Sequence, residues 1–167
     1  YDEDRAAGRI FSRQMMIERF PVPAERYDEW VYIQRDGYFG PRTTTSLIGK
    51  LNEQAEDIIG QAAVAQNLFK TANALQRARE HIAQSNPLYD ELCALLEESL
   101  SNGEDVAVFL PKKTWKRAAK EILLEDDVVS RSEIESGQVR FVTPDTARGL
   151  EHRDTMFLIG PQRPQYA

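Results

Sequence analysis

Cysteine, histidine and long apolar runs are all scarce in this chain of 167 residues, and each shortage excludes a class of protein. The single cysteine, Cys93, can form neither an internal disulfide framework nor a cysteine-rich zinc site, and we expect a buried thiol. His81 and His152 have no partner at metal-ligand or triad spacing, so we predict no metal site and no catalytic side chain. No apolar run approaches the ~20 residues of a membrane span, and no secretory signal is evident, which predicts a cytoplasmic protein without a membrane partner.

Excess positive charge is also lacking, because the formal net charge is −6. The chain is therefore no general binder of polyanions, and any contact with nucleic acid must be local. One basic cluster is present, and its members are Lys112, Lys113, Lys116, Arg117 and Lys120. Lys113, Arg117 and Lys120 share a face at helical spacing, so they form either a solvated face or a phosphate contact. Trp115 falls on the apolar face of the same helix, and we assign it to the core.

A phosphate-binding loop is missing as well. Gly49-Lys50 resembles the end of such a loop, but the preceding glycine, Gly40, is too far away. Leu51 also stands where the loop needs Ser or Thr. We therefore do not expect this chain to hydrolyse ATP alone.

The first region, residues 1–43, is predicted to contain a helix over residues 2–20 and a short strand over residues 30–33. Pro21 and Pro23 stand between them and end the helix.

The second region, residues 44–103, is predicted to be helical. Apolar residues recur at alternating spacings of three and four over residues 48–72, which predicts one long helix that continues to Gln84. Asn86-Pro87 ends it, and regularly spaced leucines over residues 88–100 predict another helix. Because the intervening turn is short, we interpret the region as a long antiparallel helical hairpin.

The third region, residues 104–167, is predicted to be an α/β lobe. Apolar runs near residues 105–110, 139–143 and 156–160 predict strands, and residues 114–123 predict a helix with one apolar face. Strands and a helical segment in this order predict by themselves a soluble domain of mixed α/β type.

The link between the last two predicted strands carries the most specific pattern. It contains Thr143 and the run Thr146-Ala147-Arg148-Gly149-Leu150-Glu151, followed by an apolar strand and Gly160. This pattern resembles motif V of the superfamily 1 (UvrD/Rep-like) helicases, and residues 105–123 resemble motif IV of the same family. The resemblance implies the C-terminal RecA-like lobe of such a helicase. This lobe would be an α/β fold with a parallel RecA-like sheet flanked by helices, and the helical hairpin would be inserted before that sheet. Because the chain begins without Met and stops before motif VI, we expect a fragment of a larger protein.

The resemblance also implies roles for residues at this end of the chain. With the basic cluster, it implies a nucleic-acid face made of Thr143, Thr146, Arg148, Lys113 and Arg117. It implies a nucleotide side made of Gly149, Glu151 and Lys112. ATP and Mg²⁺ would bind only in the complete two-lobe motor, whose first RecA-like lobe is the expected partner. Single-stranded nucleic acid is the other expected partner, with DNA favoured.

Departures from the family pattern favour an alternative function. Pro111 stands where the family has an arginine, Pro144-Asp145 replaces the usual apolar residue and histidine, and His152-Arg153-Asp154 replaces a hydrophobic residue. The alternative is a degenerate, non-catalytic helicase-like scaffold whose helical hairpin binds a protein partner. A metal nuclease built on Glu104-Asp105 lacks the spacing that such a site needs.

Overall fold

The computed structural model describes residues 20–34, 43–58, 62–150 and 153–159. The chain divides into two compact units, residues 1–85 and residues 86–167. The described part of the first unit is helical, and the second unit is α/β. This division falls inside the predicted 44–103 region, so the two helices of the predicted hairpin belong to different units.

Three helices make up the described part of the first unit: α1 (Ala24–Ile33), α2 (Thr44–Asp57) and α3 (Ala62–His81). The apolar stripes of α2 and α3 face each other in one core cluster, formed by Ile48, Leu51, Ala72 and Leu75. The prediction of one continuous helix to Gln84 is therefore wrong. Spacings of three and four describe a helix face, and two shorter helices that pack on each other satisfy that pattern equally well.

The predicted strand over residues 30–33 is also wrong, because these residues form the last turn of α1. Trp30 and Val31 are buried, whereas Tyr32 and Ile33 are each 73% exposed. Two buried residues followed by two exposed ones fit a helix that packs on one side, whereas a half-buried strand would alternate. The predicted helix over residues 2–20 lies outside the described residues except for Phe20, which precedes α1.

A carboxylate on α1 ties together the three helices that the structure describes in the first unit. Asp28 Oδ1 accepts the backbone N–H of Thr44 at 2.6 Å, and Oδ2 accepts the Thr44 hydroxyl at 2.9 Å. Arg79 Nη2 from α3 lies 3.1 Å from the same Oδ2. Because the first turn of a helix has unpaired N–H groups, Asp28 caps α2 from another helix while it neutralises Arg79.

Replacing this carboxylate should loosen α2. Asp28→Ala removes the acceptor of the Thr44 N–H and leaves the Arg79 guanidinium, whose side chain is 14% exposed, without its counter-charge. We expect the opening free energy of the α2 amides to fall by about 1–3 kcal/mol, measured by native-state hydrogen exchange. Glu29→Ala, an exposed carboxylate on the same helix, is the control and should change it by less than about 0.5 kcal/mol. Equal loss in both variants would contradict this role for Asp28.

The second unit begins with helix α4 (Pro87–Ser101) and contains strands β1 (Val106–Phe109), β2 (Val139–Val142) and β3 (Thr155–Leu158). Helix α5 (Lys113–Glu125) and the short helix α6 (Arg131–Ser136) connect β1 to β2. The sheet order is β2-β1-β3, and β1 pairs with both neighbours in parallel. A small three-stranded parallel sheet flanked by helices is thus confirmed, as are the predicted strands and α5.

The bounds of α6 come from its caps. Ser130 Oγ accepts the N–H of Glu133 at 3.2 Å, and Glu133 Oε2 accepts the N–H of Ser130 at 2.6 Å, which is a complete capping box. Gly137 ends the helix at φ +82°, a conformation that costs glycine little and other residues more. No residue of α6 is buried, so the caps define this helix and core packing does not.

Arg153 and Asp154 join the strands at the amino edge of the sheet. Arg153 Nη1 donates to the carbonyl of Gly137 at 2.6 Å and lies 3.5 Å from Asp105 Oδ2. Asp154 Oδ2 accepts the N–H of Asp105 at 2.9 Å. Because Gly137, Asp105 and Arg153 precede β2, β1 and β3 respectively, these contacts hold the starts of all three strands. The departure from the helicase pattern at Arg153-Asp154 therefore has a structural role.

Candidate functional site

The carboxyl ends of β1 and β2 meet at one edge of the sheet, because these neighbouring strands are parallel. Helix α5 begins at Lys113, shortly after β1 ends, and the motif-bearing link begins at Thr143, directly after β2. An ion pair joins the two segments, with Lys113 Nζ 2.8 Å from Asp145 Oδ2. Ligands of open α/β sheets commonly bind in the crevice outside the carboxyl ends of the strands. This edge is therefore the candidate functional site.

The link after β2 is held by its own polar groups. The hydroxyl of Thr143, which is 1% exposed, donates to Asp145 Oδ1 at 2.5 Å. The N–H of Thr143 donates to Thr146 Oγ1 at 2.9 Å, and the N–H groups of Thr146 and Ala147 both donate to the Thr143 carbonyl. Thr143 and Thr146 thus build the turn. Asp145 already accepts the hydroxyl of Thr143, a residue that was predicted to belong to the nucleic-acid face.

Asp145 is the electrostatic centre of this edge. Its hydrogen bonds from Lys113 and, second, from Thr143 lower the pKa of its carboxyl to about 2. The carboxylate, whose side chain is 52% exposed, therefore stays ionised at all physiological pH values. Sequence reasoning noted Asp145 only as a departure from the helicase pattern. The residue type itself could have identified Asp145, because an aspartate in a turn after a strand commonly accepts hydrogen bonds from nearby backbone or hydroxyl groups.

The other predicted site residues lie around this centre. Lys112 precedes α5, with Nζ 5.1 Å from the ring centroid of Trp115, which is buried as expected. Arg117 is exposed one turn along α5, and Arg148 is exposed in the 3₁₀ turn Ala147–Gly149. Among the described residues, neither arginine has an ion pair or side-chain hydrogen bond to the cluster of Lys113, Thr143, Asp145 and Thr146.

Gly149 and Glu151 of the link were predicted to lie on the nucleotide side. Gly149 ends the 3₁₀ turn, and its neighbour Leu150 donates its N–H to the Ala147 carbonyl at 3.0 Å. Glu151 lies outside the described residues.

Three other features concern metal ligands, the single thiol and membrane-spanning helices. Within them, no group of three or more His, Cys, Asp or Glu side chains could hold a metal ion. The Cys93 thiol is half-buried, and burial raises its pKa, so it stays protonated at neutral pH. In the ranges that the structure describes, every helix is too short or too polar to span a bilayer.

No protein-family model, curated protein or solved structure matches this chain. The candidate site is therefore defined by its own residues and by their place at the carboxyl edge of the sheet.

The ion pair at this edge makes a pH prediction. Asp145 has a pKa of about 2 when folded and an ordinary value of 3.8. Its depressed pKa contributes stability that is fully present above the ordinary value and is lost as the pH falls through about 2. In Lys113→Met, we expect the Asp145 carboxyl to titrate closer to 3.8, as followed by its ¹³C chemical shift.

Lys112→Met is the matched control, because it removes a neighbouring positive charge that does not pair with Asp145. It should leave the midpoint close to the wild-type value. A midpoint that Lys113→Met does not raise would show that the ion pair does not form in solution.

Proposed function

We propose that this chain is part of a nucleic-acid-dependent ATPase motor of the superfamily 1 helicase type. It would supply a RecA-like second lobe, which contacts single-stranded nucleic acid and completes an ATP site with a first lobe. The observation that carries the proposal is the position of the motif-bearing link. That link leaves the carboxyl end of β2 beside the basic start of α5, where parallel α/β sheets bind phosphorylated ligands.

Exposed cations at this edge support contact with phosphates. Arg148 and Arg117 are both exposed, and neither pairs with an acid among the described residues. Helix α5 begins here without a side-chain cap, so its first N–H groups and its positive dipole end add to the attraction for an anion. Arginine also suits phosphate, because its guanidinium donates two parallel hydrogen bonds.

Nucleotide binding in this proposal also needs the first RecA-like lobe. The chain has no phosphate-binding loop, so ATP and Mg²⁺ would bind only between this lobe and a first RecA-like lobe. Lys112, Gly149 and Glu151 are the residues that we propose for this chain's side of the site. Closure of the two lobes around ATP would then change the contacts of this lobe with the bound single-stranded nucleic acid.

Asp145 favours a second candidate function, a non-catalytic helicase-like scaffold. Its carboxylate occupies both the Lys113 ammonium and the Thr143 hydroxyl, two groups that a motor lobe would offer to nucleic acid. In this alternative, a protein partner would bind the helical region of residues 44–103, in which α2 and α3 pack on each other.

Binding of a fluorescent single-stranded DNA, measured by anisotropy at low and moderate salt, tests the proposal. We expect Arg148→Ala and Lys113→Ala each to weaken binding by about threefold to tenfold. Each change should also reduce the slope of log affinity against log salt by about one, since each removes one phosphate contact. Arg131→Ala is the control, because this exposed arginine starts α6, away from the carboxyl edge.

The outcomes separate the two functions. Salt-sensitive binding that either edge variant weakens, and that the control leaves within about twofold, supports the motor lobe. No binding at low salt, or equal losses in all three variants, would reject this nucleic-acid face and favour the scaffold.

A further inference from the structure

A groove of about 330 Å³ borders strand β2. All four residues of β2, Val139–Val142, line it together with parts of α5, α6 and the link after β2. Successive side chains of a strand point to opposite faces of a sheet, so four consecutive residues line one groove only where the strand's edge is its wall. No lining residue belongs to β1, which pairs with the other edge of β2. The groove therefore follows the outer edge of β2.

That outer edge has no strand partner in the described sheet, whose order is β2-β1-β3. An unpaired strand edge presents a row of main-chain N–H and C=O groups with the spacing of another strand. Such an edge accepts an extended peptide, whose main chain supplies the matching donors and acceptors. The backbone of a nucleic acid has no N–H groups to complete this ladder, so the edge favours a peptide.

Three cations surround the groove. Lys116 and Lys120 come from consecutive turns of α5, and Arg140 comes from β2 itself. Within the described residues, none of the three has an ion pair or a side-chain hydrogen bond. The chain as a whole has a net charge of −6, so this positive charge is confined to the groove. It favours a negatively charged occupant.

Apolar side chains complete the lining. Ile134 of α6 and Leu150 of the link are half-buried and line the groove with the two lysines. An occupant with both carboxylates and apolar side chains would match the two kinds of surface. Pairing of β2 with β2 of a second copy would instead bring Arg140 and the lysines near their own counterparts, and like charges across paired strands repel.

We propose that this groove binds an extended acidic segment of a partner protein, which adds as a strand to the open edge of β2. Its carboxylates pair with Lys116, Lys120 and Arg140, and its apolar side chains contact Ile134 and Leu150. The groove shares Thr146 with the proposed nucleic-acid face, but its three cations are different from those of that face, which are Lys113, Arg117 and Arg148. A chain that binds no nucleic acid can still bind the peptide, so the two proposals fail independently.

The test uses the full chain and a fluorescein-labelled peptide of alternating glutamate and valine, with anisotropy as the readout. We expect salt-sensitive binding that Lys116→Gln with Lys120→Gln weakens by about fivefold or more. Arg140→Gln should weaken it by about twofold or more. The charge-matched control is Lys70→Gln with Arg131→Gln, two exposed cations outside the groove, and it should change affinity by less than about twofold.

Two further probes identify how the peptide binds. The same peptide with alternate amides N-methylated keeps its charge but cannot complete the ladder, and we expect it to lose binding. A lysine–valine peptide should not bind. Failure of the glutamate–valine peptide to bind, equal affinity of its N-methylated form, or equal losses in the control variant would each overturn the proposal. A last contrary outcome is that oligothymidine displaces the peptide and that its own binding depends on Lys116 and Lys120. The groove would then bind nucleic acid.

Discussion

The second unit depends on one constraint, the pairing of β1 on both of its edges. All four residues of β1 are buried, and the same four residues align with β2 on one side and β3 on the other. The ladders continue past the strand ends, where the N–H of Leu110 bonds to the Val142 carbonyl and the N–H of Ile159 bonds to the Phe109 carbonyl. Because both pairings are parallel, every strand ends at the same edge. The start of α5 and the link after β2 are therefore neighbours, although Lys113 and Thr143 lie thirty positions apart in the sequence.

Asp145 connects the fold of this edge to both functions that we propose for it. The carboxylate receives the Thr143 hydroxyl, which shapes the turn, and it pairs with Lys113, which fixes the turn to α5. An ion pair between exposed groups exchanges readily with water and with other ions. A phosphate can then take over Lys113 without unfolding the turn, because the main-chain bonds to the Thr143 carbonyl remain. In a scaffold, the ion pair between Lys113 and Asp145 would remain formed.

The sequence predicted those parts of the fold that local patterns encode. Three compact apolar runs predicted the strands, and the apolar face around Trp115 predicted α5, because each pattern reflects burial on one side of a single element. Residues 30–33 were assigned wrongly because a short run of aromatic and β-branched residues is ambiguous between strand and helix. The reversal between α2 and α3 was missed because spacings of three and four carry no information on where a chain turns back. Contacts between distant segments, such as that of Lys113 with Asp145, were beyond local patterns altogether.

The short helix α6 has a consequence for how this sequence can change over time. Its capping box and the left-handed Gly137 determine where it begins and ends, and its interior contributes nothing to the core. Its exposed positions are therefore free to drift. Its length is not, because β2 begins two residues after Gly137, and a deletion of one residue would move β2 by one place along β1. Such a slip exchanges the two faces of a strand, turning Arg140 inward and Phe141 outward. The exposed residues of α6 can therefore change during evolution, whereas Glu133 of the capping box and the number of residues in the helix must be kept.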